Sequence, residues 1–448
     1  MSIVDPIFRE YTYDDHGNMV QMKINFHSGQ QMALMSTARY ILVLSGAQGG
    51  KTALTPHWLH NEIFGWEDKG LGVKIVGRGP GDYLMVSASF PLMNNNLLPS
   101  FREVFETYYR LGSYSESKKI FESYEKLHGS PYFRVIFGTA ANPESIESAT
   151  AKAAVLDEAG QDQFSLQSWE AIERRVARNL GRVLITTTIY NLGWLKMKLY
   201  DKWIDGDKNI DVIQFPSFSN PSFSKEEFER LRATMPDWKF KMFYEGKYSK
   251  PAGLIYDSFD ESVCLVDRFP LPKEWPRYVG HDFGPTNTVA LWYAQDPGTG
   301  YFYAYREYIA GDRSAVEHAE VWKELSAGEN IIKRTGGSQN EDGWRQSFSY
   351  VGWPITKPVV KNVEVGIDRV YGLHKTNKLF VFRDLEHYLD QKHSYQWKLD
   401  EKYDPTGVID NKSSFHFMDA ERYILSEFQP DVPHPGMDNR DKIRVKVW

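Results

Sequence analysis

Residues 45–52 form a glycine-rich octet, Ser-Gly-Ala-Gln-Gly-Gly-Lys-Thr. It fits the phosphate-binding pattern G-x-x-x-x-G-K-[ST] except at its first position, where Ser45 stands in place of glycine. The glycines leave the backbone free to curl its N–H groups around a phosphate, Lys51 would reach the β- and γ-phosphates, and the Thr52 hydroxyl would bind Mg²⁺. The candidate nucleotide-binding residues here are Ser45, Gly46, Ala47, Gln48, Gly49, Gly50, Lys51 and Thr52. The competing interpretation is a strand-to-helix turn that carries a chance Gly-Lys-Thr.

Two adjacent acids favour the nucleotide interpretation. The run "AAVLDEAG" places Asp157 and Glu158 at the carboxyl end of an apolar strand, the end at which ligands bind in open α/β sheets. Asp157 is suited to holding Mg²⁺, and Glu158 to polarising the water that attacks a nucleotide. An isolated "LDEA" is more often the start of a solvated helix, but together with the loop it predicts an ATPase.

Three threonines, Thr186, Thr187 and Thr188, end a further apolar run, "RVLITTTIY". Hydroxyl groups beside a γ-phosphate can sense its presence and transmit it to a neighbouring element, which predicts a coupling role. The alternative is that the threonines are only β-favouring residues of a buried strand.

A second group of acids lies in the carboxyl-terminal half of the chain. Asp282 follows an apolar run in "YVGHDFG", Glu341 and Asp342 open a predicted helix, and Asp419 lies on a helix with one apolar face. Such a carboxylate cluster could hold two divalent ions for phosphodiester cleavage, and its hard oxygen ligands suit Mg²⁺ or Mn²⁺. The alternative is a set of ordinary surface carboxylates.

The loop and the first acids belong to a region, residues 41–190, in which short apolar runs alternate with helical stretches. The runs predicted as strands are "YILVLSG", "GVKIVGRG", "YFRVIFGTA", "AAVLDEAG" and "RVLITTTIY". Continuous apolar runs of this kind are typical of buried, mostly parallel strands joined by crossover helices. The sequence therefore predicts an open α/β sheet.

A charged, helical stretch at 191–250 predicts a small lid or linker, with a boundary near 249–255. Three β-rich segments then start a second domain, and "DPGTG" predicts a hairpin turn between two of them. Helices are predicted near 314–327, 362–376 and 415–428. The predicted divisions are an N-terminal arm at 1–40, an ATPase core at 41–190, a lid at 191–250, a second α/β domain at 251–430 and a tail at 431–448.

Composition limits the class of protein. The 448 residues carry a net charge of −6, and a mean hydropathy of −0.49 is typical of a soluble globular chain. The single cysteine, Cys264, excludes an intramolecular disulfide and a multi-cysteine zinc site. No apolar stretch approaches the length of a membrane span. We expect a cytosolic protein without a membrane partner.

In this order, the motifs resemble those of the large terminase subunit of tailed bacteriophages, and the resemblance extends from about residue 25 to 428. "FHSGQQMAL" resembles the family's HPGQ segment, "SGAQGGKT" its deviant phosphate loop and "VLDEAG" its acidic strand. "LITTTIYNLGWL" resembles its coupling motif, and "FYEGKYSKPAGLIYDSF" its junction between domains. "HDFGPTNTVAL" and "FHFMDAERY" resemble its first and last nuclease motifs.

The resemblance implies a P-loop NTPase domain with a mostly parallel sheet and flanking helices, followed by an RNase H-like α/β nuclease domain. It implies an ATP-driven motor that moves double-stranded DNA into a procapsid and cuts concatemeric DNA. The implied cofactors are ATP with Mg²⁺ at one site and two Mg²⁺ or Mn²⁺ ions at the other. The implied partners are DNA, a small terminase subunit, the portal protein and further copies in a ring, commonly of five. Such a protein would work in the host cell cytoplasm, transiently at the procapsid vertex.

The resemblance also implies roles for single residues. Gln30 becomes a candidate adenine contact, and Asp282, Glu341 and Asp419 become the metal-binding nuclease triad. The middle acid stays open, because Asp342 is adjacent and Glu307 also ends a strand.

One departure from the family concerns a positive charge. Many members carry an arginine inside the phosphate loop, where this chain has Ala47 and Gln48. The charge-stabilising arginine must then come from elsewhere, for example from a neighbouring subunit. The candidates are Arg78, Arg174, Arg175 and Arg178. Two alternative functions also stay open: an ATP-dependent helicase or remodeller whose second domain binds DNA without cutting it, and a non-catalytic assembly protein.

Overall fold

The computed structural model describes residues 9–16, 19–70, 72–124, 132–142, 150–284 and 286–428. The predicted tail at 431–448 and the first eight residues of the predicted arm lie outside these ranges. The chain divides into two compact units: residues up to Ala252 with Leu399–Pro405, and Gly253–Lys398 with the residues from Thr406 onward. Within the described ranges, no helix is long and apolar enough to cross a membrane.

The strands and helices before residue 252 are β1 Arg9–Tyr13, β2 Met19–Ile24, α1 Ser28–Met35, β3 Tyr40–Ser45, α2 Lys51–Phe64, β4 Trp66–Asp68, β5 Val73–Ile75, β6 Gly81–Ser87, α3 Phe90–Leu92, α4 Leu98–Arg102, β7 Gly112–Ser115, β8 Ile120–Ser123, β9 Phe133–Thr139, β10 Ala151–Asp157, α5 Leu166–Ala177, β11 Arg182–Thr187, α6 Asp201–Ile204, β12 Ile210–Phe215, α7 Lys225–Thr234 and α8 Asp237–Phe240. Short π-helical segments adjoin α3, α4, α6 and α8.

The main sheet of the first unit has eight strands in the order β12-β3-β11-β10-β6-β9-β8-β7. The six strands from β12 to β9 are parallel, and β8 and β7 extend the sheet as an antiparallel edge. Alternate residues of β3 enter different cores: Leu42 packs in the cluster that contains Trp169 of α5, and Ile41 in the cluster that contains Trp58 of α2. Both faces are buried, which explains the continuous apolar runs and confirms the predicted open α/β sheet.

One local prediction in this unit is wrong and another is incomplete. The run at 72–79, predicted as a strand of the main sheet, contributes only β5, which pairs with β4 in a separate small hairpin. The strand that enters the main sheet is the next one, β6, between β10 and β9. The stretch at 191–250 is helical as predicted at α6, α7 and α8, but between α6 and α7 it contains β12, which lies beside β3 in the same sheet as the phosphate loop.

The elements after residue 252 are α9 Glu261–Cys264, β13 Leu265–Val266, β14 Arg277–Asp282, β15 Thr288–Gln295, β16 Phe302–Ala310, α10 Ala315–Leu325, β17 Ile331–Gly336, α11 Asp342–Tyr350, α12 Val363–Lys375, β18 Leu379–Phe382, α13 Glu386–Ser394, β19 Trp397–Leu399, β20 Pro405–Ile409 and α14 His416–Leu425. The three predicted helices near 314–327, 362–376 and 415–428 are confirmed as α10, α12 and α14. The predicted hairpin turn is also confirmed, because Asp296 and Tyr301 close it between β15 and β16.

The sheet of the second unit has the order β13-β18-β16-β15-β14-β17. Its first three long strands, β14, β15 and β16, form an antiparallel meander, and β17 joins β14 in parallel. Helix α14 packs across β14 at Gly280, where a Cβ would come within 2.2 Å of the Ala420 carbonyl oxygen. This mixed sheet agrees with the predicted RNase H-like α/β fold, and Asp282 lies at the carboxyl end of β14.

Candidate functional site

The phosphate loop connects the end of β3 to the start of α2. Ser45 is the last residue of β3 and is fully buried, with its hydroxyl donating to the Gly46 carbonyl at 3.1 Å. Because Ser45 has strand geometry, this position needs no glycine. Gly50, with φ of 87°, caps α2, and Gln48 also has positive φ, at 59°. The loop therefore leads directly into a helix N-terminus, which is an anion-binding arrangement.

Residues from the end of β12 support this loop in a way that sequence reasoning missed. The Ser217 hydroxyl donates to the Ala47 carbonyl at 2.6 Å, and the Asn220 amide donates to the Gln48 carbonyl at 2.7 Å. Gly46 packs closely against the backbone of the 191–250 segment: a Cβ added at this position would lie 2.3 Å from the Tyr244 carbonyl oxygen. The only signal in the sequence is the polar turn "PSFSN" after β12, which is not specific.

Gln30 and His27 contact the loop from the other side. The Gln30 side chain is 2% exposed, donates to the Gly50 carbonyl at 2.8 Å and accepts from the His27 N–H at 3.3 Å. The His27 ring donates to the Gly49 carbonyl at 2.9 Å. Both ends of the Gln30 amide are thus engaged within the chain, and its adenine contact stays a prediction.

Lys51 and Glu158 form a nearly buried ion pair at 2.9 Å. Lys51 also donates to the Thr188 hydroxyl at 3.0 Å, so three predicted residues from three separate segments meet here. Glu158 has φ of 56°, a conformation that is strained for a residue with a side chain and that is retained most often at functional sites. The Tyr190 hydroxyl donates to the other carboxylate oxygen of Glu158 at 3.2 Å.

Asp157 is 1% exposed and is surrounded by hydrogen-bond donors. The Thr186 hydroxyl donates to it at 2.6 Å, and the Thr52 hydroxyl lies 3.3 Å from both carboxylate oxygens. Burial, reinforced by the charge of Glu158, raises the pKa of Asp157 to about 6, against the lowering effects of Thr186, Lys51 and Thr52. Adjacent hydroxyl and carboxylate oxygens are suitable ligands for Mg²⁺.

Two acids of the second unit, Asp282 and Asp419, lie near each other at the carboxyl end of β14. Asp282 ends β14 and is 8% exposed, and the His416 ring nitrogen Nδ1 lies 2.8 Å from its carboxylate. Asp419 lies in the first turn of α14, where Arg422 donates to it at 2.6 Å. Since α14 crosses β14 closely at Gly280, the two acids are brought together by the packing of one helix on one strand.

Like charges act on one another at this edge. Burial raises the pKa of Asp282 to about 6; the hydrogen bond from His416 opposes this effect, and the charges of Asp419 and Glu341 add to it. Oxygen donors of this kind suit divalent cations. The predicted triad is nevertheless not gathered as a ligand set: among the described residues, no group of three or more His, Cys, Asp and Glu side chains is placed to hold a metal ion. Glu341 instead accepts from the Ser338 N–H.

The alternatives for the middle acid lie in different surroundings. Asp342 is exposed and pairs with Arg345 at 2.7 Å and Lys357 at 3.3 Å, which lowers its pKa. Glu307 accepts from the His387 and Tyr388 N–H groups at the start of α13, and burial raises its pKa to about 7. Of the three, Glu341 is the acid whose charge adds to the raised pKa of Asp282.

Two comparisons of sequence bear on identity. The chain is 26% identical over 166 residues to the terminase large subunit of Thermus virus P23-45, covering 34% of this chain and 33% of that protein. It is 21% identical over 281 residues to the terminase large subunit of Escherichia phage T5, covering 60% of this chain and 63% of that protein.

The resemblance to the large terminase subunit is confirmed. The matched region spans about a third of the Thermus virus terminase and just under two thirds of the T5 terminase. No protein-family profile matches the chain.

Solved terminase structures are also similar. The large terminase of bacteriophage HK97 aligns with a TM-score of 0.48 at 12% identity, covering 91% of this chain and 96% of that one. The large terminase of a thermophilic bacteriophage, in complex with ADP, aligns with a TM-score of 0.41 at 18% identity, covering 89% and 98%. The P22 large terminase nuclease domain aligns with a TM-score of 0.31 at 18% identity, covering 39% and 92%.

The four arginine candidates lie away from the phosphate loop. Arg78 pairs with Glu62 at 3.0 Å and donates to the carbonyls of Asn179 and Leu180, just before β11 begins. Arg174, Arg175 and Arg178 lie in or just after the last turn of α5, which leads into β11. All four therefore lie toward the amino ends of the parallel strands, whereas the loop lies at the carboxyl ends. The sequence could not show this, because it depends on the strand order.

The three threonines predicted to act in coupling are all buried and make distinct contacts. Thr186 donates to Asp157, and Thr188 accepts from Lys51. The Thr187 hydroxyl accepts from the Gly160 N–H at 2.9 Å, which ties β11 to the turn after Glu158. This arrangement links β11 to Asp157, to Lys51 and to the turn after Glu158.

Proposed function

We propose that this protein is an ATP-driven motor that packages double-stranded phage DNA and cuts it. The observation that carries the ATPase part is the meeting of Lys51, Glu158 and Thr188 beside the phosphate loop. Sequence similarity to terminase large subunits supports the coupling of this ATPase to DNA packaging.

At the nucleotide site, Lys51 would exchange its contact with Glu158 for the β- and γ-phosphates. Glu158, released from Lys51 and still held by Tyr190, would accept a proton from the attacking water. Thr52 and Asp157 would hold Mg²⁺, which neutralises charge on the phosphate oxygens. Asp157 is held in place for this role by Thr186.

In the second unit, Asp282 and Asp419 would hold divalent cations, with Glu341 as the middle acid. Such ions polarise the phosphodiester and activate water. His416 orients the Asp282 carboxylate, and Arg422 orients that of Asp419. The mutual repulsion of the three acids supports this assignment, because cations would relieve it.

The coupling and partner assignments are also proposals. Thr186, Thr187 and Thr188 would report the state of the γ-phosphate, and the segment 191–250, which supports the loop through Ser217 and Asn220, would move in response. The motor would act as a ring on the portal, together with a small terminase subunit. A neighbouring copy would then supply the arginine that is absent from the loop.

Paired substitutions in the full-length chain test both activities. Lys51→Ala should abolish DNA-stimulated ATP hydrolysis and leave Mn²⁺-dependent cutting of plasmid DNA unchanged, whereas Asp282→Ala should do the reverse. Lys202→Ala, an exposed lysine outside both sites, is the control and should change neither activity. Normal hydrolysis by the Lys51 variant would refute the ATPase site, and normal cutting by the Asp282 variant would refute the nuclease site.

A further inference from the structure

A cavity lined by basic residues lies in the second unit, away from Asp282 and Asp419. Its volume is about 470 Å³, within the usual range for small-molecule sites. Four basic residues line it: Arg268, Lys273, Arg277 and Arg306. Arg277 begins β14 and Asp282 ends it, so the cavity and the acids are at opposite ends of one strand, roughly 16 Å apart at about 3.3 Å per residue.

Two of these cations are already paired. Arg306 forms a two-pronged ion pair with Glu329, at 2.8 and 3.0 Å, and Arg268 forms another with Asp384, at 2.6 and 2.9 Å. Among the described residues, neither Arg277 nor Lys273 has an ion-pair partner. The cavity therefore carries two uncompensated positive charges, which matches the charge of a phosphate monoester better than that of a single carboxylate.

Arg277 is the most informative of the four. It is 2% exposed, and its Nη2 donates to the Pro272 carbonyl at 2.7 Å. Its Nε and Nη1 have no hydrogen-bond acceptor among the described residues. A buried guanidinium with two N–H positions left without an acceptor is unfavourable unless an anion satisfies them.

Aromatic and apolar side chains complete the lining. Phe269 is 38% exposed, and Tyr305 and Phe382 lie beside it in the cavity wall. The guanidiniums of Arg277 and Arg306 lie 5.1 and 5.0 Å from the Tyr305 ring centroid. An exposed ring beside a cationic cavity is suited to stacking a base next to its phosphate.

We propose that this cavity binds the phosphate monoester of a nucleotide, held by Arg277 and Lys273, with its base against Phe269. The ligand could be a free nucleoside monophosphate or the 5′-phosphate end of a DNA strand, which share this chemistry. The site is separate from both the phosphate loop and the acids, and its occupancy does not depend on either activity.

Calorimetric titration of the full-length chain with dAMP tests the proposal. The chain should carry Lys51→Ala and be kept in EDTA, so that neither the phosphate loop nor a metal captures the ligand. Binding of dAMP but not of deoxyadenosine is expected, and Lys273→Ala should weaken it about tenfold or more. Lys361→Ala, an exposed lysine of the same unit that does not line the cavity, should leave binding unchanged.

Two further measurements distinguish a DNA end from a free nucleotide and test the role of Arg277. A 5′-phosphorylated oligonucleotide that binds as tightly as dAMP would identify a DNA end, and binding of dAMP alone would identify a free nucleotide; either result supports the site. Arg277→Gln should reduce binding as Lys273→Ala does. Because Lys273 is exposed, the Lys273 variant is expected to fold and tests the site even if the Arg277 variant does not fold. Equal binding of deoxyadenosine, no binding of any phosphorylated ligand, or unchanged binding by Lys273→Ala would overturn the proposal.

Discussion

Asp157 and Asp282 occupy equivalent positions in two different sheets, yet their surroundings differ. Each ends a strand, is buried, and has a pKa raised to about 6. Around Asp157 the chain supplies two hydroxyl donors and Lys51. Around Asp282 it supplies His416 as the only close donor among the described residues, and two further carboxylates add to the negative charge.

The difference shows two ways of holding a buried carboxylate. The first site is assembled from its own side chains, and a nucleotide would exchange partners within an existing network. The second site keeps excess negative charge even with Arg422 paired to Asp419, and a bound cation would balance the remainder. Activity at the first site should therefore depend on single, well-positioned donors and bases. Activity at the second site should depend on how many acids remain to bind cations.

The largest effect is expected at Glu158, the base of the assembled site. Glu158→Gln keeps the shape of the side chain but removes the proton acceptor, so ATP hydrolysis should fall at least ~100-fold while ATP binding persists. Phosphate release and nucleotide binding measure the two effects. Glu229→Gln, at an exposed position, is the control. A Glu158 variant with a nearly normal rate would show that the ion pair with Lys51 is structural only.

An intermediate effect is expected for the middle acid. Glu341→Gln should reduce plasmid cleavage at least about tenfold, because it removes one of the charges that act on Asp282 and would bind a cation. Asp342→Asn should have little effect, since Asp342 is exposed and paired with Arg345 and Lys357. The reverse result would transfer the role to Asp342.

The smallest effect concerns stability without divalent cations. In the folded chain the pKa of Asp282 is raised from its ordinary value of 3.8 to about 6. The folded state therefore loses stability relative to the unfolded state as the pH rises from about 4 to 6, because Asp282 must ionise in a site that disfavours its charge. Below this range the group is protonated in both states and has no effect. Above pH 6, Asp282→Asn should therefore raise the free energy of unfolding by roughly 1–3 kcal/mol and raise the unfolding temperature accordingly. Near pH 4 this gain should vanish. Scanning calorimetry at both pH values measures it, with Asp342→Asn as the control. An equal gain at pH 4 would mean that the charge is not the cause.

Some features could be predicted because they are local in the chain. The phosphate loop, the acids at the end of β10 and the meander with its hairpin turn each occupy a short segment, whose pattern determines its geometry. The missed strand β6 illustrates the limit: Gly79, Pro80 and Gly81 separate two apolar runs, and no local rule says which run enters the sheet.

The sequence by itself determined which residue types could do chemistry and in which element each lies, from Lys51 after the loop to Asp419 on α14. Only the tertiary structure decided their partners: Glu158 with Lys51, His416 with Asp282, and Arg78 with Glu62 at the far edge of the sheet. The reason is physical. Burial and pairing depend on strand order and helix packing, which bring together residues that are far apart in the chain and leave no pattern in the sequence between them.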